Sequence, residues 1–313
     1  MIKRLAGTVL VLSCLAVSAG AAVRADSVLL MDIARAGGAL VGVGERGTVL
    51  RSDDGGGRWA AIATPVTRAL TALAFDGPDL GIAVGHGGTI LRSRDGGRSW
   101  ATVDADIGLA SLLGVTRVGP GRFAAYGAYG LFLTSEDGGD TWTRRTVLGG
   151  DFDRHIYGLA VLAGDRWLLA GEGGTLAVSA DHGRNWTALA SPYQGSFFGV
   201  LAVGDGAALA FGMRGNLFRS DDGGAHWTRI ETGTESGLNG GRVLADGRVV
   251  LVGNGGTLAI SGDGGRRFQL FPMGRSQGLA QADSVLPSAL VLVGEGGVTH
   301  LNLPALPQQG GRP

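Results

Sequence analysis

The chain has 313 residues, equal numbers of basic and acidic side chains, and 44% hydrophobic content, so it can bury a large core and is no disordered tail. Its 59 glycines against 9 prolines predict many tight turns rather than long helices. A balanced charge argues against nucleic acid as a partner, and past the first residues no segment reaches the ~20 apolar residues needed to span a bilayer.

The first 25 residues read as a signal peptide. Lys3 and Arg4 supply the positive start, Leu5 to Ala22 the apolar run, and Val23-Arg24-Ala25 the small-residue cleavage pattern. Cleavage after Ala25 and export to the periplasm are expected, with a thylakoid lumen or full secretion as alternatives. The single cysteine, Cys14, lies in that run, so the mature chain is expected to hold no disulfide. A lipoprotein reading of "VLSC" ranks lower, because residues 15 to 22 stay apolar. Removing Lys3, Arg4 and Arg24 leaves 24 basic against 27 acidic side chains. Residues 26–313 are expected to form one soluble domain that does not span the membrane, as a monomer.

That domain is a repeat. A box reads "SDDGGGRW" ending at Trp59, "SRDGGRSW" at Trp100, "SEDGGDTW" at Trp142, "SADHGRNW" at Trp186, "SDDGGAHW" at Trp227 and "SGDGGRRF" at Phe268. Before each box a G-x-x-G turn leads into a short apolar strand, at Gly44, Gly85, Gly127, Gly171, Gly212 and Gly253, and a seventh copy at Gly294 has no box after it. Within one unit, "LTALAF", "LGIAVG", "TILRS" and "WATV" read as four strands separated by turn residues. Four short strands at a period of ~40 to 45 residues predict an all-β, seven-bladed β-propeller of four-stranded antiparallel blades. Blade seven is expected to be three-stranded, or completed by residues near Asp26 to Val28 or by the tail after Leu303.

The box reads as the turn between the last two strands of a blade. Its aspartates, Asp54, Asp95, Asp137, Asp181, Asp222 and Asp263, are expected to accept backbone N–H bonds while glycine supplies positive φ and the aromatic seals the blade edge. A catalytic acid would be needed once or twice, not six times.

These boxes resemble the Asp-box, or BNR repeat, of sialidases and other secreted propellers. The longer phrase "VGHGGTILRSRDGGRSW" resembles the photosystem II stability and assembly factor family, and "SPYQGSFFG" and "GRVVLVGNGGTLAISGDGG" look like its exported bacterial branch, whose genes often lie beside those of large exporters. The resemblance implies a non-enzymatic scaffold that binds a membrane protein or complex as an assembly, stability or accessory factor. The alternative is a secreted glycan-binding or sialidase-like glycoside-hydrolysing propeller. Against it, no "RIP" motif occurs, and none of Tyr126, Tyr129, Tyr157 and Tyr193 is paired in sequence with an acid. The five histidines show no ligand spacing, so no metal, cofactor or catalytic residue is assigned.

Strand alternation places the boxes and the G-x-x-G turns on opposite rims, so recognition is expected on the G-x-x-G rim, where a fixed glycine frame carries varied side chains. Its candidates are Arg46, His86, Tyr129, Glu172, Arg214 and Glu295. Two connections between blades join them: "LGGDFDRHIYG" offers Arg154 and His155 with Phe152 and Tyr157, and "SPYQGSFFG" offers Tyr193 and Phe197, with Phe198 balanced between surface and core. Arg51, Arg92 and Arg219, each before a box serine, read either as a solvated strand face or as basic patches for an acidic partner segment.

Overall fold

The structure is a computed structural model that describes residues 25–274, 276–286 and 289–303, the side chains of Asp26 and Leu286 excepted. The residues up to Arg24 that read as a signal peptide, Cys14 among them, and the tail after Leu303 lie outside the described residues.

Seven antiparallel sheets form the blades of a β-propeller, each running from an inner strand outward in chain order. Blade two is representative: Leu70–Asp76, Leu80–Gly85, Ile90–Ser93 and Ala101–Thr102 pair in sequence order. The second strands are buried almost throughout, as Leu80–Gly85 and Val249–Gly253 show, because both faces are covered by neighbouring blades. The outer strands shrink to two or three exposed residues, which leaves little unpaired edge.

Apolar clusters sit between blades. Leu73, Ala83 and Trp100 of blade two pack on Val41, Val43 and Val49 of blade one, and the pattern repeats around the ring. Closure joins blade seven to blade one through Val291 and Val293 against Leu30, Ile33, Leu40 and Trp59. Polar contacts reinforce this seam. Arg35 Nε donates to Asp283 at 3.2 Å, and His300 Nε2 lies 2.7 Å from the Gly56 carbonyl.

Blade seven has three strands among the described residues, Leu279–Leu286, Ala289–Gly294 and Gly297–Asn302. Residues 26 to 28 do not complete it as a strand. Ala25–Ser27 forms a short 3-10 turn that packs on Gly297–Asn302 instead.

The boxes are the turns between third and outer strands. In blade three, Asp137 Oδ1 accepts the Ser135 hydroxyl at 2.9 Å and the amides of Asp140 and Thr141 at 3.1 and 2.9 Å, and Oδ2 accepts the Thr141 hydroxyl at 2.6 Å. The serine supplies a second hub: its Oγ accepts the Gly139 amide at 2.8 Å, and the other five boxes repeat this bond. Trp59, Trp100 and Trp227 fold back to donate their indole N–H to a box carbonyl.

The box does more than seal its own blade edge. Gly139 has φ +79°, and a Cβ there would come within 2.2 Å of Ile82 in the preceding blade. Gly97, Gly183, Gly224 and Gly265 likewise abut Val41, Phe132, Leu168 and Leu209, so each box is a plug between blades. Arg51 and Arg219 correct their sequence reading. They are buried, and each donates to the carbonyl of a glycine in the next blade's box, Gly96 or Gly264, while pairing with Asp53 or Asp221. Arg92 reaches Asp140 of the next box in the same way. They clamp blades together and form neither a solvated face nor a basic patch.

Candidate binding rim and channel mouth

The pairing registers put the G-x-x-G turns and the connections between blades on one rim, and the boxes on the other. Every G-x-x-G turn is anchored by one repeated bond, in which its first residue after glycine donates its amide to the carbonyl just before the inner strand of the same blade. The pairs are Glu45 to Leu29, His86 to Ala69, Ala128 to Ser111, Glu172 to His155, Met213 to Ser196, Asn254 to Gly237 and Glu295 to Gly278, all at 2.9 to 3.1 Å. Backbone holds the frame, so the side chains are left for other work.

The next residue of six of these turns has positive φ. Blades two, four and six use glycine there, Gly87, Gly173 and Gly255, whereas blades one, three and five place Arg46 (φ 55°), Tyr129 (φ 53°) and Arg214 (φ 57°). A side chain in this region costs of order 1 kcal/mol relative to glycine and persists where something over-determines it. All three are exposed, Tyr129 by 73%, and among the described residues neither arginine has a hydrogen bond or ion pair.

The remaining candidates divide. Arg154 is exposed and donates to the Gly173 carbonyl at 3.0 Å, and His86 is exposed with Nδ1 3.1 Å from the Ser111 hydroxyl. Glu172, half-buried, and Glu295, exposed, accept the His155 and Gly278 amides at 3.1 and 2.8 Å, so they brace the rim. Tyr193 is half-buried and stacks on Phe218 at 6.1 Å, and with Arg214 it borders a groove of about 970 Å³ that Glu231 and Glu235 also line. Phe197 is fully buried between blades four and five, so it cannot serve as a surface contact. Its alternating neighbour Phe198 faces the channel instead.

That channel is the second feature. All seven inner strands carry a bulge at one register position, next to the buried residue that opens the strand. The bulged residues Met31, Thr71, Leu113, Tyr157, Phe198, Asn239 and Ala280 all line a central cavity of about 1050 Å³. Bulges re-aim side chains, and here they build an uncharged, largely apolar collar at the G-x-x-G mouth. Further along the strands the wall becomes ionic. Asp283, buried, faces Arg35 at 3.2 Å and Arg242 at 3.7 Å, and Arg117 pairs with Asp76 at 2.5 Å. Asp32 accepts the Ile33 and Leu73 amides at 2.8 and 2.9 Å, yet burial pushes its pKa up to about 6 against the pull of those bonds and of Arg242.

Rim and mouth meet at blades three to five. The rings of Tyr129, His155, Tyr157 and Phe198 follow one another edge to face at 4.8, 6.1 and 5.8 Å, running from the exposed rim into the channel. Burial, and then the nearby Glu172 carboxylate, push the Tyr157 hydroxyl pKa up. The sequence reading missed the collar, because the bulge that turns Met31, Leu113 and Asn239 inward has no local signature. Among the described residues, no group of three or more His, Cys, Asp or Glu could hold a metal ion, and no helix is long and apolar enough to cross a membrane.

Residues 124–248 match the family model described as photosynthesis system II assembly factor YCF48. Over this stretch the chain resembles that family. No curated protein sequence matches it. Among solved structures, YCF48 bound to a D1 peptide superposes with a TM-score of 0.72 at 18% identity, over 90% of this chain and 95% of that one. YCF48 from Cyanidioschyzon merolae gives 0.71 at 19% identity, over 89% and 96%. The WD40 propeller of Doa1 gives 0.72 at 14% identity, over 90% and 94%, so the architecture is shared well beyond assembly factors.

Proposed function

We propose that this photosystem II assembly factor-like propeller is an exported, non-enzymatic scaffold that uses its G-x-x-G rim to hold a segment of a membrane protein or complex during assembly or maintenance. The observation that carries the reading is the placement of Arg46, Tyr129 and Arg214, at a backbone conformation that favours glycine, around an apolar channel mouth. Keeping large exposed side chains at strained positions on one rim, while the other rim is consumed by bonds between blades, fits a surface kept for contact. The family match and the solved YCF48 bound to a D1 peptide support the same reading. Its mechanism is surface recognition with no covalent step.

The test is a crosslinked capture from native envelopes with the tagged protein, followed by mass spectrometry. Enrichment of one integral membrane protein that is lost in the variant Arg46→Gly/Tyr129→Gly/Arg214→Gly supports the reading. Glycine suits the turn at all three positions, so the variant should fold. Undiminished capture by it would reject the rim.

A further inference from the structure

We infer that His155 is a proton-operated latch on the rim contact, so that the presentation of Tyr129 depends on pH; this rests on the rim reading above only for its link to partner binding. Tyr129 sits in the G-x-x-G turn of blade three and His155 just before the inner strand of blade four. The Tyr129 amide donates to His155 Nδ1 at 3.2 Å, and the next amide, Gly130, donates to the Arg154 carbonyl at 2.9 Å. These two bonds carry the turn across the boundary between blades. To accept, Nδ1 must lack a proton, which puts the neutral ring's proton on Nε2.

One blade further on the same amide is handled differently. Gly173 donates to the Ser196 hydroxyl at 3.4 Å, an acceptor that does not titrate. Of these two blades, blade three places an imidazole at this position, a side-chain type that can take up a proton. A proton added at Nδ1 turns the acceptor into a donor facing another donor, and the Tyr129 amide loses its partner. The alternative acceptor is in place, since Glu172 Oε2 lies 3.8 Å from Nδ1.

The other groups around the imidazole are accounted for. Tyr129 and Tyr157 meet it edge to face from either side, and the neighbouring Arg154 guanidinium is bound to the Gly173 carbonyl. Among the described residues, Glu172 is the carboxylate that lies within 4 Å of Nδ1. Once released, the turn keeps, among the described residues, the Gly130 bond to the Arg154 carbonyl, and Tyr129, the exposed head of the aromatic run, is held less firmly on the rim.

The test is amide hydrogen exchange of the whole protein at pH 7.5 and pH 5.0, with protection factors corrected for the intrinsic rate. Protection of the Tyr129 amide is expected to fall about threefold to tenfold relative to Gly173, the effect of losing one ordinary hydrogen bond. In His155→Asn, whose side chain carries no charge at either pH, the ratio should stay constant. An unchanged ratio in the native protein, or the same fall in His155→Asn, would overturn the latch. Capture with Arg46→Gly/Tyr129→Gly/Arg214→Gly at pH 7.5 is read separately: retained capture would sink the rim reading while leaving the exchange result to decide the latch.

Discussion

Replacing Asp137 by alanine removes four accepted hydrogen bonds at once, from the Ser135 and Thr141 hydroxyls and the Asp140 and Thr141 amides. The carboxylate is exposed, so each donor can turn to water, and the low end of the usual range, about 0.5 kcal/mol per bond, is appropriate. The loss sums to about 2 kcal/mol. For a domain of this size that corresponds to a fall of about 4 °C in Tm. Asp137→Asn keeps one carbonyl oxygen for Ser135 and the two amides, three of the four bonds, and should lose about a quarter as much. Thermal unfolding followed by tryptophan fluorescence would read both, with Asp151→Ala, an exposed acid in the next connection, as control. A shift for Asp137→Ala no larger than that of the control would refute the box as a structural element.

Acid should unfold the protein through the same boxes. All six box aspartates have lowered pKa values; in Asp137 burial pushes up but the Thr141, Ser135 and Asp140 bonds outweigh it and bring it down to about 2, and in Asp181 the Asn185 bonds do the same. A depressed folded pKa adds stability above the unfolded value near 3.9, lost as pH falls through the folded one, so Tm should drop between about pH 4 and pH 2; a collapse complete by pH 5 would contradict this. Asp32 works with the opposite sign, because its raised pKa favours folding below pH 4 and that advantage disappears as pH rises through about 6. The Tm of Asp32→Asn relative to the native protein should therefore climb from pH 4.5 to pH 7.5, and a constant difference would reject the shift. Arg51→Ala should cost about 2 kcal/mol by orphaning the Gly96 carbonyl and removing the bond to Asp53, and Arg51→Lys should not restore it, since one ammonium cannot make both contacts of the planar fork; full rescue in a urea melt would disprove the clamp.

What was legible in the sequence is what local chemistry determines. The box and the G-x-x-G turn are made of residues within eight positions of one another, so their spacing alone yields the blade count and the two rims, and the missing seventh box foreshadows the three-stranded last blade. What escaped depends on partners fifteen to forty-five residues away. Arg51 stands in a four-residue strand that could equally face water, and only the neighbouring box gives its guanidinium an acceptor. Phe197 and Phe198 are adjacent aromatics at the start of a strand. The bulge between Phe197 and Gly199 decides which is core and which is channel, and a bulge is set by cross-strand register. Glu172 and Glu295 read as exposed turn residues because their acceptor role is defined by amides seventeen residues earlier.

The two rims divide the labour of the molecule. On the box rim, conserved chemistry within the repeat is spent on contacts between blades: serine and aspartate hold the turn, glycine admits the neighbour, and Arg51, Arg92 and Arg219 reach across. A substitution there is felt by two blades at once. On the opposite rim the anchoring bond runs from backbone to backbone in all seven blades, so the side chain that follows it can change without loosening the frame. Arg46, Tyr129 and Arg214 stand at those positions, where glycine would be less strained. Because the anchoring bond needs no side chain at Arg46, Tyr129 or Arg214, these three positions can be altered at little cost in stability. This rim, where it borders the apolar collar of Met31, Leu113, Tyr157 and Phe198, is therefore the part of the molecule whose side chains are least tied to the fold.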